Sequence, residues 1–335
     1  MGIISVLVGV SLCAILGFLV LNWLYKHTNA YKNQLVTIKG YLDGVPDNLK
    51  LACFGSTYAK FAFNALDELN IQGFNFSLDA ECLQCDRKLL EQYAGKLSPG
   101  CVVVFGLAAC IACCKEEEVV VFNYRQYFKV LDNKRLPRRL ARSIKYRLVY
   151  YLPLTQGLRR AIRIFFDVPS VKNVVERYPA YCSASQAQKN MENMVRGWIR
   201  MFHLPDLRQD NLSEENRKRI DENTKTLTGI IEYSRKKGWK PVIVIIPSSA
   251  ELNGHFSDRF VDATLMKMVN EVEKTTGVCV LDYRKDESFQ HDPSLFVDGG
   301  FRMSKYGSVK FIRQLIRDLN KQGFALNNKS ISKAI

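Results

Sequence analysis

The sequence predicts an α/β fold: one open, mainly parallel, five-stranded sheet in a three-layer arrangement with helices on both faces, behind an N-terminal membrane-spanning helix. Three observations carry this. Five short stretches read as strands, at 51–54, 73–77, 101–105, 241–246 and 278–283, and those at 51–54, 101–105 and 241–246 are apolar throughout. They alternate with stretches whose apolar residues recur every three or four positions, as strands and helices do in βαβ units. Residues 3–25 are apolar almost without interruption, and about 23 residues at ~1.5 Å each cross the ~30 Å hydrocarbon core.

The elements follow in order. The apolar helix is read as an uncleaved anchor, because no Lys or Arg precedes it and no small-residue cleavage site follows. After a polar stretch, strand 51–54 ends in Gly55-Ser56-Thr57, and Tyr58, Phe61, Ala62, Leu66 and Leu69 then recur at helical spacing to residue 70. Strand 73–77 precedes a helical stretch over 85–97, and Pro99-Gly100 introduces strand 101–105, which ends at Gly106. Residues 123–203 break the alternation with a basic and aromatic tract. Lys134, Arg135, Arg138, Arg139, Arg142, Lys145 and Arg147 precede Tyr150-Tyr151, and Arg159, Arg160 and Arg163 precede Phe165-Phe166. This reads either as a membrane-surface or polyanion-binding element or as a solvated helical insertion over the sheet edge. Alternation resumes with a helix over 214–237, strand 241–246, a helix over 258–275 and strand 278–283. A last helix from Ser304 buries Val309, Ile312, Leu315 and Leu319. The predicted organisation is an anchor (1–26), a tether (27–48), an α/β domain (49–325) with the insertion 123–203, and a polar tail (326–335).

Composition narrows the partners. With 47% hydrophobic and 24% charged residues in 335, the chain folds into one main domain plus an appendage. A net charge of +15 favours an acidic neighbour. Without a zinc-finger, helix-turn-helix or RNP-like pattern, anionic lipid or polymer is expected and nucleic acid is not. Lys26, Lys32 and Lys39 follow the apolar helix, and ten cysteines show no disulfide-scaffold pattern; both favour a cytoplasmic domain.

In such a sheet ligands bind at the carboxyl ends of the strands. The loops from Gly55 to Tyr58, Ser77 to Cys85, Gly106 to Cys114 and Pro247 to Asn253 should meet there, joined by residues 295–308 (Leu-Phe-Val-Asp-Gly-Gly-Phe-Arg-Met-Ser-Lys-Tyr-Gly-Ser). In block order over roughly 50–320, this pattern resembles the SGNH/GDSL hydrolase family, particularly its membrane-anchored relatives linked to cell-surface polysaccharide modification. The resemblance implies a flavodoxin-like three-layer fold that hydrolyses or transfers acyl groups. It puts the nucleophile on Thr57, or on the neighbouring Ser56, and the acid of the last block on Asp298, with Gly55, Ser56, Tyr58, Ala80, Gly106 and Arg302 in the oxyanion or ligand cleft.

The blocks are degenerate. The family's Ser is Thr57, its Gly is Ala80, its Asn is Ala108, and Phe301 or Arg302 stands where its His belongs. Phe has nothing to titrate and Arg stays protonated, so neither serves as general base. Losing that base and an oxyanion donor worth about 3 kcal/mol removes most of the rate advantage. His255 and His291 are the nearest histidines in sequence to these loops, while His203 reads as packing and His27 as juxtamembrane.

Cys82-x-x-Cys85 and Cys110-x-x-Cys113, separated by 24 residues, have the paired spacing of a zinc ribbon. They follow strands expected to flank the first, about 10 Å apart. Zinc or a redox pair stands here beside the plainer reading as small buried hydrophobes, and no cofactor is otherwise expected.

The chain is therefore expected to be a membrane-tethered SGNH-hydrolase-like protein of cell-envelope polysaccharide metabolism. Two forms stay open: binding of glycan or acyl-glycan through Tyr58, Asp298 and Arg302, or an altered acyl transfer with the oxyanion held by the Thr57 and Ala80 N–H groups. A non-catalytic metal-binding or basic membrane-surface scaffold is the alternative. The resemblance favours an extracytoplasmic domain, against the flanking charges.

Overall fold

The computed structural model describes residues 2–69, 71–157, 159–162 and 183–326. The chain opens with α1 (Gly2–His27), α2 (Asn29–Lys32) and α3 (Lys39–Asp43), then enters the sheet through β1 (Leu49–Phe54), α4 (Thr57–Ala62), β2 (Gly73–Asn75), α5 (Leu83–Gln92) and β3 (Leu97–Leu107). A helical excursion follows: α6 (Glu116–Val119), α7 (Tyr124–Val130), α8 (Arg138–Arg142), α9 (Ile144–Tyr151), α10 (Arg159–Ile162) and α11 (Ala184–Met201). The sheet is completed by α12 (Glu214–Lys236), β4 (Lys240–Ile245), α13 (Ala250–Asn253), α14 (Asp258–Val261), α15 (Lys267–Thr276), β5 (Cys279–Asp282), α16 (Glu287–Gln290) and α17 (Lys305–Lys321).

The five strands are all parallel in the order β2-β1-β3-β4-β5. Parallel strands covered on both faces need apolar side chains at every position. Leu51 to Phe54, Val102 to Phe105 and Val242 to Ile245 supply them, all fully or almost fully buried. Ala52 pairs with Val103, and Val104 with Val242. One helical layer holds α4 and α17, which pack together; α5, α12 and α15 form the other. The order reverses direction between β1 and β3, so the crevice for a ligand lies beyond their carboxyl ends.

α5 ends at Gln92, not 97, and β2 at Asn75, not 77; two further boundaries differ from the sequence expectation for visible reasons. The helix after the corner stops at Ala62 instead of reaching residue 70, because Ser308 of α17 donates to the Ala62 carbonyl (2.8 Å) and accepts the Ala65 N–H (3.0 Å). Those groups are satisfied outside the helix. Pro99 and Gly100 lie within β3, not before it; both are exposed, and the pairing with β1 slips between Leu49 and Leu51, a bulge that tolerates them.

Residues 27–48, expected as a tether, touch the domain at some positions and are exposed at others, Lys39, Leu42 and Asp43 among them. Ile38 is buried and Tyr41 donates to the Phe76 carbonyl (2.5 Å). The described part of the insertion is helical. Arg163, Phe165-Phe166 and residues 327–335 of the polar tail lie outside the described residues, as does the side chain of Arg160.

Candidate functional site

The corner after β1 is built by close backbone approach. Gly55 has φ +138°, and a Cβ there would meet the Gly106 carbonyl oxygen at 2.5 Å and the Ala59 Cβ at 2.7 Å. Gly106 is similarly tight against Ala59 (2.8 Å). Both glycines therefore bring β1 and β3 together at the switch point and offer no surface to a ligand.

Ser56 precedes α4 and Thr57 opens it. Their hydroxyls are held by the loop after β2. Ala80 N–H donates to Thr57 Oγ1 (3.2 Å) and Glu81 N–H to Ser56 Oγ (3.0 Å). Ala80 reaches this position in the left-handed region, φ +49°, which costs an L-residue roughly 1–2 kcal/mol. The insertion holds it there. Tyr127 donates to the Ala80 carbonyl (3.0 Å), and Gln126 and Asn123 donate to the Asp79 carbonyl (2.6 and 3.2 Å).

Thr57, Ala80 and Arg302 line one cleft of about 520 Å³. Its other walls come from the segment after α1, through Gln34 and Thr37, and from Phe122 to Gln126. Asp79 is its carboxylate, ion-paired to Lys60 at 2.8 Å. Arg125 of α7 donates to the side-chain oxygens of Gln34 and Gln156, so the guanidinium has neutral hydrogen-bond partners there. It also lies over the Tyr124 ring at 5.2 Å.

Asp298 does not line this cleft. Its Oδ1 accepts the N–H groups of Gly300, Phe301 and Arg302 (3.3, 2.9 and 2.9 Å), and its Oδ2 faces Arg302 Nη1 at 3.3 Å. The carboxylate closes its own loop, which a bridge between Phe296 and Met303 pins at the base. Phe301 packs edge-on against Tyr58 (5.8 Å) and Trp198 (5.1 Å). With Ala108 these rings line a separate pocket of about 50 Å³. Tyr58 is buried there with its hydroxyl unpartnered, and burial raises its pKa well above the usual phenol value. His291 is exposed, and His203 pairs with Glu118 at 3.7 Å; neither these nor His255 lines the Thr57 cleft.

Below the corner is a buried acid pair that the sequence patterns did not single out. Glu81 and Asp86 are both 1% exposed. Glu81 accepts the Leu78 N–H (2.6 Å), while the Gly55 N–H and the Glu81 side chain bond Asp86. Desolvation pushes Asp86 up to about 8 and Glu81 well above the carboxylate range, so at neutral pH burial favours the protonated, uncharged form of both. The sequence signal is slight: Glu81 precedes α5 and Asp86 lies in its first turn, among Cys82, Leu83 and Cys85.

Cys82 sits at the N-terminus of α5, with its sulfur 3.5 Å from that of Cys85. Cys110 and Cys113 flank a short turn after β3. All four are buried, and desolvation raises each thiol pKa, Cys113 to about 12. Among the described residues no three His, Cys, Asp or Glu side chains are gathered as a metal-binding group.

No protein-family model matches this chain, and no curated protein matches it.

Proposed function

We propose that this is a membrane-anchored protein of cell-envelope polysaccharide metabolism that binds glycan or acylated glycan in the Thr57 cleft, on a scaffold of the SGNH-hydrolase kind. The cleft itself carries the reading. It combines an exposed aromatic ring, Phe122, and the Tyr124 ring with the amides of Asn123 and Gln34 and the guanidinium groups of Arg125 and Arg302. Rings pack on the apolar faces of sugars, and convergent polar groups fix orientation. α1 provides the anchor, being long and apolar enough to cross a membrane.

Turnover is disfavoured by the partners of the would-be catalytic groups. Thr57 Oγ1 accepts an N–H and has no imidazole beside it in the cleft, and Asp298 is occupied by its own loop. A hydroxyl nucleophile needs a base within about 3 Å. An enzymatic version would have to use Asp79, which shares the cleft.

The test pairs two measurements on the full chain in detergent. An O-acetylated oligosaccharide should bind, with Arg125→Ala weakening it about tenfold, while p-nitrophenyl acetate hydrolysis should equal that of Thr57→Ala. Hydrolysis abolished by both Thr57→Ala and Asp79→Asn would replace the binding reading with the enzymatic one.

A further inference from the structure

α9 carries an apolar stripe that the described residues leave uncovered. Ile144, Leu148 and Tyr151 recur at i, i+4 and i+7 and are 82%, 45% and 54% exposed, whereas Val149 turns inward. From 133 to 151 the chain has seven basic residues and no acidic one. Arg138, Arg142 and Lys145 among them are exposed. A short helix with apolar side chains outward and cations around them fits the boundary between acyl chains and anionic headgroups.

α1 fixes the depth of this helix. Asn22 Oδ1 accepts the Leu154 N–H at 3.0 Å, and Tyr25, Tyr31 and Leu154 form a small apolar cluster. Asn22 lies five residues inside the end of α1, about 7.5 Å along its axis. The turn Pro153–Gln156, which begins two residues after α9, therefore packs on α1 where that helix leaves the hydrocarbon. Ile162 of α10, another helix packed on α1, is also exposed. Gln156 in the same turn bonds Arg125 of the Thr57 cleft, so the cleft adjoins this level.

We propose that α8 and α9 lie on an anionic phospholipid leaflet, with Ile144, Leu148 and Tyr151 at the acyl boundary and Arg138, Arg142 and Lys145 on lipid phosphates. This orients the Thr57 cleft toward ligands presented at the headgroups. It rests on α1 being an anchor, as proposed above, and on no chemistry at Thr57.

The full chain is placed in nanodiscs of phosphatidylcholine alone or with 30% phosphatidylglycerol, and amide hydrogen exchange is followed over 138–151. Exchange over 144–151 should slow at least tenfold with phosphatidylglycerol, and Arg138→Glu/Arg142→Glu/Lys145→Glu should abolish the difference. Ile144→Ser/Leu148→Ser, at exposed positions that leave the core intact, should reduce protection while α12 exchanges as before. Equal exchange in both discs overturns the proposal. Protection by added poly-glutamate but not by phosphatidylglycerol also overturns it, and assigns the face to a soluble polyanion. A chain released from the discs by alkaline carbonate fails earlier, at the anchor, and is told apart by that release.

Discussion

The corner at 55–58 and the loop at 296–303 both put polar groups near the carboxyl edge of the sheet, and they satisfy them in opposite ways. Ser56 and Thr57 receive their hydrogen bonds from another loop, at Glu81 and Ala80. Asp298 receives three from its own backbone within four residues. A hydroxyl held by one bond from elsewhere is exchangeable for a ligand atom at a net cost of about 1 kcal/mol. A carboxylate whose acceptor sites close its own turn is a structural clamp. The difference separates the part of the edge that can meet a ligand from the part that holds the edge in shape.

That contrast can be broken most directly at the clamp. Asp298→Ala strands buried N–H groups and should cost about 3 kcal/mol in denaturant unfolding, while Asp298→Asn, which keeps the acceptor oxygen, should cost about 1 kcal/mol. Equal and small losses in both would show that the loop does not depend on the carboxylate.

The acid pair beneath the corner supplies the next effect. Asp86 has a folded pKa of about 8 against roughly 3.9 unfolded. Between these values the folded state holds a proton that the unfolded state has released. Stability from this group is therefore greatest below pH about 4, falls as pH rises toward 8, and levels off above it. Asp86→Asn should flatten that fall and stabilise the protein at pH 8. An unchanged slope from pH 5 to 8 in thermal unfolding would show that Asp86 does not hold a proton in that range.

Within the cleft, Arg125→Ala should weaken binding of the O-acetylated oligosaccharide about tenfold, near 1.4 kcal/mol, with little change in melting temperature. The smallest effect sharpens the corner. Ala80→Gly relieves the left-handed strain and should stabilise by about 1 kcal/mol, less what the extra freedom of glycine costs the unfolded chain. A clear destabilisation would mean that the Ala80 methyl packs, and that the strain is small.

The sheet was largely legible because its signal is local. The runs at 51–54, 101–105 and 241–246 are apolar at every position, as strands buried on both faces require; the first two fall within β1 and β3, and the third matches β4 but for its last residue. The end of α4 was not legible, since Ser308 acts on it from 246 residues away. The cleft was half legible. Thr57, Ala80 and Arg302 stood out in the sequence, but Tyr58 and Asp298 turn away from that cleft, and Arg125 and Asp79 enter it unannounced.

By itself the sequence determined the spanning-length apolar helix, the five strands and the basic character of the insertion, because periodicity and composition act over neighbouring residues. The tertiary structure alone decided that Phe301 fills the gap between Tyr58 and Trp198, that α7 props the Ala80 turn, and that burial raises the pKa of both Glu81 and Asp86. Each of these depends on which distant side chains meet and how completely water is excluded around them. Local pattern does not encode that.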